Sequence, residues 1–175
     1  VLDIDVHKLQ ALDQIWGNRI CTQLSGEAAI AVSLAEADLV IGAVLVPGAS
    51  APKLIRRRHL AVMKPGAVIV DIAIDQGGSA ETSRPTTHDD PVYLVDGILH
   101  YCVANMPGAV ALTSTLALTN ATLPWGLELA DRGLVAALEA SPALRAGLNL
   151  HRGAVCHPGV ATSCGQPCRD WRELS

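Results

Sequence analysis

The chain has 175 residues, half of them hydrophobic, so it can bury a core; Phe is absent and the bulk comes from Ala, Val and Leu. Its 13 Lys and Arg against 17 Asp and Glu give a formal charge of -4, and the one dense basic run is Arg56-Arg57-Arg58. That balance excludes the basic stripe of a nucleic-acid binder. No run reaches the roughly 18 uninterrupted apolar residues of a membrane helix, so neither nucleic acid nor membrane is an expected partner. Five cysteines are an odd number; Cys21 and Cys102 lie in apolar contexts and are expected as reduced core thiols, which points to the cytoplasm.

Val1 to Ile4 is an apolar run and predicts a strand. His7 to Trp16 carries Leu9, Leu12 and Trp16 at three- and four-residue spacing, a helical pattern. A short strand is expected near Arg19 to Thr22, a helix over the Ala-rich Glu27 to Ala37, and a buried strand at Leu39-Val40-Ile41, closed by Gly42. Pro52 to Leu60 predicts a helix with Pro52 in its first turn. After the Lys64-Pro65-Gly66 turn come a buried strand over Ala67 to Asp71, a long polar loop over Ile74 to Asp90, and a further strand over Ile98 to Val103. Ser114 to Arg132, with Leu116, Leu118, Leu123, Leu127 and Leu129, predicts a helix interrupted or bent near Pro124, and Leu134 to Ala140 a second one. Past Arg152 no periodicity survives, which predicts a loose tail.

Strands without polar alternation, separated by helices, indicate a parallel sheet covered on both faces. The expected class is α/β: an incomplete, Rossmann-like, doubly wound parallel sheet over residues 1–107, then helices over 108–153, then a divergent tail over 154–175. The chain begins without Met, inside an apolar run. A Gly-rich turn paired with an acid at the end of the second strand belongs about 20 residues upstream of that acid, before Val1. The expectation is the carboxyl-terminal part of a larger protein.

Four places carry candidate chemistry. Asp3 ends the first strand, where a carboxylate accepts the hydroxyls of an adenosine ribose, or simply caps the next turn; Lys8 lies one turn further on, and Asp5 suits a helix cap. Gly42-Ala43-Val44-Leu45-Val46-Pro47-Gly48 follows a buried strand with small residues, so backbone can approach a flat ligand that Val44 and Leu45 would cover; a tight strand-to-helix connection shows the same signs. Val70-Asp71-Ile72-Ala73-Ile74-Asp75-Gln76-Gly77-Gly78 sets two carboxylates four residues apart beyond a buried strand, suited to orienting a substrate or touching a nicotinamide ribose, or to bracing the loop. Asn105 and Met106 offer an amide and a soft apolar edge before Pro107. Cys156, His157, Cys164 and Cys168 match no closed zinc spacing, so no metal is expected. His59, His88 and His100 have no visible Ser or Cys partner for nucleophilic catalysis.

Together, VLDID at 1–5, ADLVIGAVLVPGASAPKL at 37–54, MKPGAVIVDIAIDQGG at 63–78, SRPTTHDDP at 83–91, YCVANMPGAV at 101–110 and STLALTNATLPWGLELAD at 114–131 resemble the carboxyl-terminal half of the alanine dehydrogenase and pyridine nucleotide transhydrogenase family. The resemblance covers about residues 1–153, and the DQGG context with the TSTLALTNATLP run favours the dehydrogenase branch. It implies NAD as cofactor and reversible oxidative deamination of L-alanine to pyruvate and ammonia. It assigns Asp3 to the adenosine ribose, Lys8 to its neighbourhood, Ser25 to the adenine, Val44 and Leu45 to the groove wall, and Ile72 and Asp75 to the nicotinamide ribose. By the same resemblance Asp75 is the acidic residue of the catalytic centre, and Asn105 and Met106 are the nicotinamide-side pair. It implies a nucleotide domain inserted in a discontinuous catalytic domain, and a homo-oligomer, a hexamer. The family's catalytic histidine, substrate-binding Lys and Arg and pyrophosphate turn would precede Val1, so an amino-terminal segment is an expected partner and the chain alone is expected to lack turnover. Two alternatives stand beside this: a transhydrogenase nucleotide domain, and a non-catalytic nucleotide-binding or oligomerisation fragment.

Overall fold

A computed structural model describes residues 1–174. Contacts divide the chain into two compact units: Val1–Leu45 with Ala51–Ala104, and Val46–Ser50 with the chain from Asn105 onward.

In the first unit, β1 (Leu2–Asp3) leads into α1 (Val6–Trp16), and Asp5 caps that helix by accepting from the His7 and Lys8 amides. β2 (Gln23–Leu24) pairs parallel with β1. It begins later than the expected strand, because Gly17–Arg19 extend the helix as a 3-10 turn. α2 (Glu27–Glu36) and β3 (Leu39–Gly42) fall where the pattern placed them, as does β4 (Val68–Asp71). α3 is only Arg57–Leu60. The expected helix fails over 52–55 because Ile55 O, which a helix would give to the His59 amide, instead accepts from Glu81 N–H (2.8 Å), while Leu54 and Ile55 N–H both donate to Ser79 O.

Two strands follow the polar loop, β5 (Val92–Val95) and β6 (Ile98–Tyr101). The first was not expected. Asp96 and Gly97 both have positive φ, 50° and 80°, and close a two-residue hairpin turn.

The sheets correct the expected topology. β1 and β2 form a separate parallel pair, while β3, β4, β6 and β5 form a second sheet in that order, with β5 antiparallel. A two-residue turn cannot make the crossover that a parallel β5 would need. Nor are both faces equally covered. The row Val40, Ile69, His100 and Tyr93 crosses the sheet on the face that holds the core, where Ile30, Leu34, Ile55, Leu60, Met63 and Ile98 pack. The opposite face carries Leu39, Ile41 and Leu94, exposed at 56%, 59% and 68%.

In the second unit, α4 (Ala111–Arg132) runs unbroken through Pro124, although the ring removes the amide that would bond Asn120 O. Of the expected interruption or bend, the interruption does not occur. α4 buries no residue fully; Ala137 and Leu138 of α5 (Leu134–Ala140) are buried, and α6 (Pro142–Ala146) follows. The loose tail is a further correction. β7 (Leu150–His151) and β8 (Ala154–Val155) form a hairpin, and α7 (Pro158–Cys164) is capped by His157, whose Nδ1 accepts from the Gly159 and Val160 amides. Short elements held by capping and tertiary contact leave no periodicity in sequence. Cys102 is buried as expected, whereas Cys21 is exposed and is no core thiol.

Candidate functional site

Two neighbouring parallel strands end together. Gly42 of β3 lies in register with Asp71 of β4, so Val44, Leu45, Ile72 and Asp75 all leave from the carboxyl ends of adjacent strands. That is where an open α/β sheet receives ligands. Leu45 is 73% exposed and Ile72 52%, two apolar side chains open to solvent; Val44 is half-buried and Asp75 exposed.

The β1–β2 pair brings two more candidates together. Asp3 and Leu24 are register partners, and the Ser25 amide donates to Asp3 O at 2.8 Å. One Asp3 carboxylate oxygen, Oδ1, accepts from the Asp5 amide at 2.9 Å, the turn-capping contact. The second oxygen has no such contact, so capping and ribose binding are compatible on one side chain. Lys8 is exposed on α1. Asn105 and Met106 belong to the second unit, at the start of the 3-10 turn Met106–Val110.

Of the paired carboxylates, Asp71 is the loop brace. It is fully buried and accepts from the Ser79 amide (2.7 Å), the Ala80 amide (3.2 Å), Ser79 Oγ (3.0 Å) and Ser83 Oγ (2.5 Å). A Cβ on Gly42 would lie 2.1 Å from Ser79 Oγ, so the glycine is the space that Ser79 occupies. Gly78 has φ 81°, and a Cβ there would meet Ser83 Cβ at 2.7 Å. Ile72–Gln76 form a 3-10 turn that presents Asp75 outward.

Beneath this loop lies a polar cluster. His100 Nδ1 is 3.0 Å from Ile98 O, a carbonyl that only accepts, so the proton sits on Nδ1 and Nε2 accepts from Thr82 Oγ1 at 2.8 Å. The ring stacks on Tyr93 with centroids 5.1 Å apart. Burial, the largest influence, lowers the His100 pKa against the Ile98 bond and the nearby Asp71 charge. Burial likewise raises that of the Tyr93 phenol, helped by its contact with Cys102. With both ring nitrogens bonded and its ring stacked on Tyr93, His100 braces the fold beneath the loop. Arg56 to Arg58 do not form a bare basic face: Arg57 pairs bidentately with Asp96, and Arg58 pairs with Glu27.

Lys53 carried no sequence signal of its own, because Pro52 made its segment look helical. Its ammonium donates to Gly77 O, Gly78 O (2.8 Å) and Ala80 O (3.1 Å). Two cavities, of 450 Å³ beside Glu139, Arg145 and Trp171 and of 320 Å³ among Trp125, Leu129, Leu138 and Leu144, contain none of the candidates. Among the described residues no His, Cys, Asp and Glu cluster could hold a metal, and no helix is long and apolar enough to cross a membrane.

The family described as alanine dehydrogenase/PNT, C-terminal domain, matches residues 1–158. An alanine dehydrogenase of Halomonas elongata is 56% identical over 165 residues, which is 94% of this chain and 44% of the relative. A solved L-alanine dehydrogenase superposes with a TM-score of 0.78 at 47% identity, covering 94% of this chain and 45% of that one. A solved transhydrogenase from Sinorhizobium meliloti gives 0.62 at 30% identity, over 90% and 41%. The chain therefore spans less than half the length of the relatives it matches. A match over nearly the whole chain, on strand ends and loop as well as core, leaves one conclusion: the chain belongs to the alanine dehydrogenase/PNT C-terminal domain family.

Proposed function

We propose that this chain is the NAD-binding part of a cytoplasmic alanine dehydrogenase, which converts L-alanine to pyruvate and ammonia as a homo-oligomer, a hexamer. The observation that carries the reading is the meeting of Val44, Leu45, Ile72 and Asp75 at the ends of two in-register parallel strands. Residues 1 to about 107 form the nucleotide-binding part, and 108–153 return to a catalytic domain completed by an amino-terminal segment. The identity of 47% with a solved alanine dehydrogenase against 30% with a transhydrogenase favours the first over the second.

The residues present suit a dinucleotide. Asp3 keeps a carboxylate oxygen for ribose hydroxyls, Ser25 stands beside it, and Lys8 lies on the following helix. Leu45 and Ile72 offer apolar cover, Asp75 a carboxylate at the nicotinamide end, and Asn105 and Met106 an amide and a thioether for the carboxamide side. NAD, when bound, supplies the hydride acceptor. Asp75 orients the reacting end, and Leu45 and Ile72 exclude water from it.

Calorimetric titration of the chain with NADH tests the binding reading, and saturable binding is the expected result. Turnover is then measured as alanine-dependent NADH formation, by the chain alone and with the amino-terminal half added in trans. Activity only in the second case is expected. Asp75→Asn should weaken NADH binding about tenfold and lower that turnover about 100-fold or more. Binding without turnover in either case would leave a nucleotide-binding fragment, and absence of binding would overturn the reading.

A further inference from the structure

In the loop 76–80, four amides and five carbonyls have partners in different segments. Its amides point inward: Gly77 N–H to Ile74 O (2.9 Å), Gly78 N–H to Ala73 O (2.9 Å), and Ser79 and Ala80 N–H to the buried Asp71 carboxylate. Its carbonyls point to the segment 51–55. Gln76 O accepts from Ala51 N–H, Ser79 O accepts from Leu54 and Ile55 N–H, and the remaining three, of Gly77, Gly78 and Ala80, converge on Lys53 Nζ. The strand pairing Ile55↔Ala80 closes the arrangement, with Glu81 N–H donating to Ile55 O at 2.8 Å.

We propose that Lys53 is a positioning residue which, opposite Asp71, fixes the turn that presents Asp75 to the cofactor. An ammonium has three donors and no acceptor, and here three carbonyls take all three. The cation sits at the carbonyl side of the loop and the Asp71 anion at the amide side, so both charges favour one orientation of the intervening peptides. Both act through the backbone of the turn. Gly77 and Gly78, both at positive φ (92° and 81°), let three carbonyls converge within so short a stretch. A guanidinium spreads its donors in a planar fork and does not fit a point of convergence, so Arg is a poor substitute. The proposal rests on the reading of Asp75 as the nicotinamide-side carboxylate.

The test uses the full chain with Lys53→Met and Lys53→Arg. Lys53 is exposed on the surface and belongs to no buried core, so both variants should fold. Amide hydrogen exchange at Gly77, Gly78, Ser79 and Ala80 is expected to accelerate about tenfold in each, with exchange in β4 and β6 unchanged. NADH affinity should weaken about tenfold while the melting temperature stays near that of the parent chain. Unaltered exchange in Lys53→Met would overturn the proposal, and so would faster exchange with unaltered NADH affinity. Full recovery by Lys53→Arg would overturn the three-carbonyl geometry. If the parent chain takes up no NADH, the reading of the site fails, and the exchange result still decides the clamp.

Discussion

Gly42 shows how one missing side chain decides a local structure. Its hydrogen faces Ser79 Oγ at a distance no Cβ could share, and Ser79 is one of the donors that hydrogen-bond the buried Asp71. Gly42→Ala must push Ser79 from Asp71 or part β3 from β4. A loss of about 1–3 kcal/mol is expected, in the range of overpacked core sites, and urea denaturation measures it. The sequence offered Gly42 as a place for close approach of a ligand; the structure uses it first for close approach of the chain to itself. The two carboxylates of DIAID were likewise indistinguishable by pattern. Burial separates them: Asp71 is enclosed by donors and braces the loop, while Asp75 is exposed.

At the scale of elements, β6 and α3 each bury a histidine that is harder to protonate than in water. Burial does this to His100, and burial together with the charges of Arg58 and Arg56 does it to His59, against an opposing pull from Glu81. In the unfolded chain both titrate near pH ~6.5. The unfolded state therefore takes up more protons as pH falls below that value, and stability, complete above it, declines toward the lowered folded values. The melting temperature should fall between about pH 6.5 and pH 5. His100→Asn, which keeps a donor for Ile98 O, should flatten part of that slope; an unchanged slope would mean that His100 is not a source of it. The main elements were legible because α1, α2, β3 and β4 carry their signals in contiguous residues. The 51–55 segment was not, since its backbone bonds go to residues more than twenty positions away. β5 had a legible turn, Asp96-Gly97, yet lay hidden beside a long polar loop.

Among the described residues, the larger sheet offers a half-open apolar face and an unpaired edge at β3, and β1 has only β2 beside it. Exposed apolar edges invite pairing with other chains. Light scattering should report concentration-dependent association of the isolated chain, and Ile41→Lys, which places a charge on the β3 edge, should reduce it. An Ile41→Lys variant that associates as strongly as its parent would exclude this edge as the cause.

What the sequence by itself determined was the α/β class, most element positions and the motifs that carry the family, because periodicity and turn chemistry act between near neighbours. What only the tertiary structure decided was the antiparallel β5, the separate β1–β2 pair, the unbroken α4 and the ordered segment after Arg152. It also assigned Asp71, Lys53 and Gly42 to one brace around the DQGG turn. Those outcomes depend on which distant groups satisfy buried donors and acceptors, and the local pattern of a segment does not record its distant partners.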